Sequence, residues 1–213
     1  VPFAKWTFSP IGNAVEAYDI DMVKELMDEG EDPAAENNEA VIAAAANGLC
    51  NILKLLLSDK RVNPAADDND AIQHACYFGH CDAVKVLMAD KRVFPGSDAF
   101  GAAVRHGFLD IVKQLLTDIR VNPAANDNEA IHKAIRKDYF DIANLLLTYE
   151  QVWEEARHRL DVIKYIFHIS CLCGTKTSFA LDIIKQLSSQ NMFDGYDDVC
   201  IKIATMAYGN EMI

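Results

Sequence analysis

The side chains best suited to do chemistry in this sequence are histidine and cysteine, and they fall in two groups. His168, Cys171 and Cys173 lie within six residues of one another, a density that invites a zinc reading. Cys-X-Cys on a helix, however, sends its two sulfurs to different faces, and no second pair stands nearby. His74, Cys76, His80 and Cys81 form the other group, without the paired spacing that marks a metal site. Cys–His nucleophilic catalysis needs a base and an orienting group within hydrogen-bond reach, and nothing local to either group supplies both. Gly174-Thr175-Lys176-Thr177-Ser178 has the composition of a phosphate loop but lacks the preceding glycine spacing and the strand. Asp67-Asp68 and Asp197-Asp198 are most simply solvated loop charges. The chemistry-bearing residues therefore predict no catalytic centre, no cofactor and no metal, and turn attention to binding.

Charge narrows the partner. The net charge is −12, the wrong sign for a chain that neutralises phosphates with Lys and Arg, so a nucleic acid partner is not expected. Most of that acidity falls in residues 1–150, with 24 acidic and 14 basic side chains, against 8 and 6 in residues 151–213. No stretch approaches the roughly 18 apolar residues that a membrane span requires, and no basic-then-apolar leader is visible at the start. Six cysteines with neither a disulfide framework nor a CxxC pair fit a reducing, cytoplasmic compartment.

The elements that must position any binding residues are periodic. Pro33-Ala34-Ala35 returns as Pro64-Ala65-Ala66 after 31 residues, and Gly48 returns as Gly79 at the same interval. Asn122-Pro123-Ala124-Ala125 opens another copy, and Phe94-Pro95 opens a contracted one. A fixed period of this size marks a stacked solenoid, in which each unit buries its apolar face only against its neighbours. The spacing predicts repeats over about 32–62, 63–93, 94–121 and 122–150. In each, the stretch after proline is expected to form an extended finger. Asn38, Asn69 and Asn128 are then expected to cap a short inner helix, with Glu39 and Asp70 complementing the helix dipole. Gly48, Gly79 and Gly107 break the chain with left-handed backbone, and an outer helix follows. The third unit lacks three finger residues, and the fourth puts Asp138 where glycine stood, a strained choice for a left-handed turn.

Residues 9–30 read as an N-terminal cap made of a helix pair, with Ser9 capping and Pro10 in the first helical position. Residues 151–213 lack the finger motif. Trp153 to about Leu172 is apolar at helical spacing, and Leu181-Asp182-Ile183-Ile184-Lys185 is similar to Leu109-Asp110-Ile111-Val112-Lys113. This third of the chain is expected to be a degenerate repeat or helical C-terminal cap. Ala207-Tyr208-Gly209 repeats the pattern of Ala46-Asn47-Gly48, which gives the expectation that the repeat series continues past Ile213.

A finger, a short inner helix, Gly79-His80, and an outer helix reading Asp82-Ala83-Val84-Lys85-Val86-Leu87-Met88 resemble the ankyrin repeat. His80 then sits where that family commonly places a histidine. The likeness covers about residues 9–150 and departs at the family's Thr-Pro-Leu-His tetrapeptide, which here is Glu39-Ala40-Val41-Ile42, Asp70-Ala71-Ile72-Gln73 or Glu129-Ala130-Ile131-His132. The resemblance implies an all-α ankyrin-repeat solenoid of stacked helix-turn-helix units with a helical C-terminal extension. It also implies a non-catalytic, monomeric module that binds a protein or peptide in a concave groove. Carried over by motif, the groove positions on the inner helices are Ala46 and Asn47, Tyr77 and Phe78, Arg105 and His106, and Arg136 and Lys137. Those on the fingers are Glu36, Asn38, Asp67, Asn69, Ser97, Asn126 and Asn128.

The helix positions run from small, through aromatic, to basic along the stack. Tyr77 and Phe78 admit two readings: lateral packing between helices, or anchors for a partner, since Ile72, Ala75 and Cys76 already supply a buried face. Arg105, Arg136 and Lys137 are either solvated charges or contacts for acidic groups. Aromatic and arginine side chains are the ones that concentrate binding energy, so the expected partner carries acidic and apolar groups. An alternative from another class is a targeting module for an enzyme or host-directed effector, with its chemistry in 151–213 or beyond the chain end.

Overall fold

The computed structural model describes residues 9–152; the C-terminal third, with His168, Cys171, Cys173 and the 174–178 loop, lies outside them. Ten helices follow in order: α1 (Pro10–Glu16), α2 (Ile20–Asp28), α3 (Ala35–Ala46), α4 (Cys50–Leu57), α5 (Ala66–Phe78), α6 (Cys81–Met88), α7 (Gly96–His106), α8 (Leu109–Leu115), α9 (Ala125–Arg136) and α10 (Phe140–Leu147). Odd-numbered helices form an inner layer and even-numbered ones an outer layer, with α1–α8 packing along their layers and in hairpin pairs and α9 packing on α7. Among the described residues there is no strand.

Burial explains the layering. Ile72, Ala75 and Cys76 of α5 and Val84 and Leu87 of α6 are fully enclosed, as are Val104, Ile111, Val112 and Leu115 in the next unit. Each helix of 7 to 13 residues is too short to persist alone in water, so the stack of apolar faces holds it. The N-terminal helix begins as its sequence directs: the Gly12 N–H donates to Ser9 Oγ at 3.0 Å, with Pro10 in the first turn.

The chain after each proline departs from the expected extended finger. Glu36-Asn37-Asn38, Asp67-Asp68-Asn69 and Asn126-Asp127-Asn128 all adopt left-handed backbone, φ between 47° and 67°. The turn closes on itself, with the Asn38, Asn69 and Asn128 N–H groups donating to Ala34, Ala65 and Ala124 carbonyls. Asn and Asp enter this region far more readily than other L residues, which accounts for eight of the nine positions. The contracted third unit keeps a single left-handed residue, Gly96 at φ 60°.

Every inner helix ends alike. The N–H groups of Asp19, Leu49, His80, Phe108 and Tyr139 reach back to alanine carbonyls at 2.8–3.0 Å, around a left-handed residue that is Tyr18, Gly48, Gly79, Gly107 or Asp138. This satisfies carbonyls that the helix end would otherwise leave open. Asp138 does take the left-handed turn, at φ 57°.

Candidate functional site

Side chains that recur between copies hold one repeat to the next. Arg61, Arg92 and Arg120 each fork onto the aspartate two residues earlier, with closest N–O distances of 2.7, 2.6 and 2.6 Å. Each also donates to a carbonyl of the preceding unit: Glu31 at 3.3 Å, Val62 at 3.0 Å and Val93 at 2.9 Å. The guanidinium hydrogen bonds hold Asp59 down to about 2 and hold Asp90 and Asp118 below the usual carboxylate range. A second link is made by the asparagines. The Asn63 N–H donates to Asn38 Oδ1 and the Phe94 N–H to Asn69 Oδ1, both at 2.7 Å. The third is a ring laid on a glycine: His80 over Gly48, Phe108 over Gly79 and Tyr139 over Gly107, so close that a Cβ there would lie 2.6–2.9 Å from the ring.

These links correct several expectations. Asn38 and Asn69 do not cap their own helices; their left-handed backbone aims the side chain at the following unit. Asn69 Oδ1 is thereby committed to stacking, and Asn128 is 1% exposed, which takes both off the list of side chains offered to a partner. Glu39 is also buried, at 5% exposure. Desolvation, with Glu36 and Glu16 nearby, pushes its carboxyl up, so burial outweighs the helix-dipole effect expected for it. Asp67 accepts from the Asn37 amide across the row of fingers, and Asn47 is held by the Tyr18 hydroxyl at 3.2 Å and by the Ala43 carbonyl at 2.9 Å.

What remains is the inner face of α5, α7 and α9, which bounds an open cleft of about 480 Å³. Tyr77, 46% exposed, meets Phe78 edge-on with centroids 5.0 Å apart and His106 edge-on at 4.6 Å. His106 stacks with Phe108 at 5.9 Å. Phe78 is half-buried, as lateral packing requires, while Tyr77 leaves its ring the more exposed of the two. Tyr77, Phe78, Arg105 and Asn126 line the cleft; Arg136 and Lys137 are exposed at the last turn of α9 but outside it. Arg105, Arg136 and Lys137 form no ion pair among the described residues.

Motif transfer missed part of this cleft. Asp70, Asp98, Glu129, His74 and Lys133 also line it. Asp70 meets His74 Nδ1 at 3.0 Å and Glu129 meets Lys133 at 2.7 Å; the Lys133 hydrogen bond, with Arg105 in the background, lowers the Glu129 carboxyl. Asp70 with His74 and Glu129 with Lys133 are each spaced i, i+4 on one helix, a signal legible in the sequence. Cys76 is fully buried and its thiol is pushed up to about 12 by desolvation, with Cys81 adding a little. Such a thiol is not a nucleophile at neutral pH. Among the described residues no cluster of His, Cys, Asp and Glu is arranged to hold a metal, and no helix is long and apolar enough to cross a membrane.

Comparison with known proteins supports the resemblance. Residues 11–96 match the family model for ankyrin repeats in three copies. Residues 11–96 are ankyrin repeats by that match. Its fold is similar to the crystal structure of EF0377, an ankyrin repeat protein, at a TM-score of 0.59 and 26% identity, over 70% of this chain and 86% of that one. No curated protein matches the chain. Ankyrin repeats generally serve as protein–protein interaction modules and are typically non-catalytic.

Proposed function

We propose that this ankyrin stack binds a partner protein or peptide on the concave face of α5, α7 and α9, through Tyr77, Phe78, Arg105 and His106, with Arg136 and Lys137 extending the contact. The observation that carries this reading is the half-exposed Tyr77 ring, braced by Phe78 and His106 at the edge of an open cleft. A preorganised aromatic loses little conformational freedom on binding and so concentrates affinity. Arg105, Arg136 and Lys137, exposed and without an ion pair among the described residues, favour acidic groups on the partner.

The test is capture and identification of a partner by the full chain, followed by titration against variants. Tyr77→Ala is expected to weaken the complex tenfold or more. Ile119→Ser, altering a side chain 98% exposed in the loop after α8, should leave it unchanged. Rising salt should weaken the complex, since exposed charges are screened beyond about 10 Å at 0.1 M. Equal affinity for wild type and Tyr77→Ala would overturn the assignment.

A further inference from the structure

The contracted third unit leaves an unusual arrangement on α7. Asp98, Gly101, Ala102 and Arg105 fall at i, i+3, i+4 and i+7, one face of one helix, and all four line the cleft. Asp98 and Arg105 are two turns apart, about 10 Å along the axis. Both are exposed and neither forms an ion pair among the described residues. Between them the helix carries almost no side chain, and a Cβ added at Gly101 would meet nothing within 4 Å. The flanking helices carry Gln73 and His74 on one side and Lys133 on the other. On these walls Asp70 lies 3.0 Å from His74 Nδ1 and Glu129 lies 2.7 Å from Lys133, with Arg105 also in the field of Glu129. The cleft is thus a trough with a carboxylate at its finger end, a guanidinium at its other end, and an empty floor beside Tyr77.

Resting on the concave-face reading above, we propose that this trough selects a dipolar segment of the partner: a basic side chain against Asp98, an acidic side chain against Arg105, and a bulky apolar side chain seated over Gly101 between them. Opposite fixed charges also set direction, because a segment entering the other way would place like charges together. The three residues missing from the third finger open the finger end of the trough.

The experiment uses the full chain and a random peptide library displayed on phage. Selection should enrich peptides with one basic and one acidic residue on either side of a large apolar residue. Asp98→Lys and Arg105→Glu should each weaken a selected peptide by tenfold or more. The doubly reversed protein should recover affinity for a peptide whose two charges are exchanged. Gly101→Trp should abolish binding without lowering Tm, since its side chain enters open space and leaves a residue poorly suited to helices. A purely helix-dipole role for Asp98 and Arg105 would move Tm but not charge preference. If the doubly reversed protein binds the original peptide unchanged while Tyr77→Ala loses it, the dipolar trough is overturned and the concave-face reading stands. Peptides indifferent to Tyr77→Ala, or no peptides at all, would overturn both.

Discussion

The seam between repeats and the concave face obey opposite rules. Along the seam, the same three devices recur: an Asp-x-Arg fork onto the previous unit, an asparagine oxygen bonded to the next unit's backbone, and a ring on a glycine. On the concave face, corresponding positions share nothing: Ala46, Tyr77, Arg105 and Arg136 occupy the same place in four successive copies. A solenoid's stability is the sum of its units and their interfaces, so the seam must be rebuilt at each step. The face has no such constraint, and its differences are free to encode a partner. If that division is right, seam variants should cost stability in every unit, and face variants should cost almost none.

The largest effect is expected at Gly79. A methyl there combines left-handed backbone, φ 83°, with a Phe108 ring atom 2.7 Å away. Strain of ~1–2 kcal/mol from the backbone and ~1–3 kcal/mol from overpacking should lower Tm for Gly79→Ala by several degrees. Gly30→Ala isolates the first term, because Gly30 is also left-handed, at φ 97°, with nothing within 4 Å. Calorimetry should find Gly79→Ala the more damaging of the two. Equal losses would mean that the ring contact contributes nothing to the seam.

Removing one fork should have a smaller effect. Arg92→Ala deletes the bond to the Val62 carbonyl and the pairing with Asp90; for a half-exposed group a loss of about 1 kcal/mol is expected. Its aspartates also set a pH dependence. Asp59, Asp90 and Asp118 have folded values below their ordinary 3.8. Their contribution is therefore complete above the unfolded value and is lost as pH falls below 3.8 toward about 2 for Asp59. Urea melts should show wild type losing stability across that window, and Asp90→Asn losing less. Glu39 should behave in the opposite sense. Its folded value is raised, so the folded state is favoured when the group is protonated and penalised as pH rises through the folded value. Glu39→Gln should therefore raise Tm at neutral pH and match wild type in acid.

How much of this was legible beforehand differs between the two regions for a physical reason. Helix order, the contracted third unit, the Ser9 cap and the left-handed turns at Gly48, Gly79 and Asp138 follow from local rules of chain geometry, and those expectations hold. The finger was misjudged because Asn-rich triplets permit extended, capping and left-handed backbone alike, and only the neighbouring unit selects among them. Asn69 faces the Phe94 N–H, 25 residues away, a relation that no local spacing encodes. The pairing of Arg92 with Asp90 was available from proximity, yet its third partner, the Val62 carbonyl, required the stack. Motif transfer picked out Tyr77, Phe78 and Arg105, which line the cleft, while the proposed trough rests on what α7 lacks. A missing side chain gains meaning only when flanking helices stand on both sides of it.

The smallest stability effect is expected at Tyr77, and it is the most informative about the division between seam and face. The ring is 46% exposed and touches Phe78 and His106 only by its edges. Tyr77→Ala should change stability by about 0.5 kcal/mol or less, as for other exposed substitutions. Phe78→Ala, at a half-buried ring that also stacks on His74 at 6.2 Å, should lose clearly more. Chemical denaturation of the two variants separates the cases, because neighbouring residues on one helix share every other property of their surroundings. Should Tyr77→Ala fall as far as Phe78→Ala, the aromatic pair would belong to the seam, and the face would retain only its charges to recognise a partner.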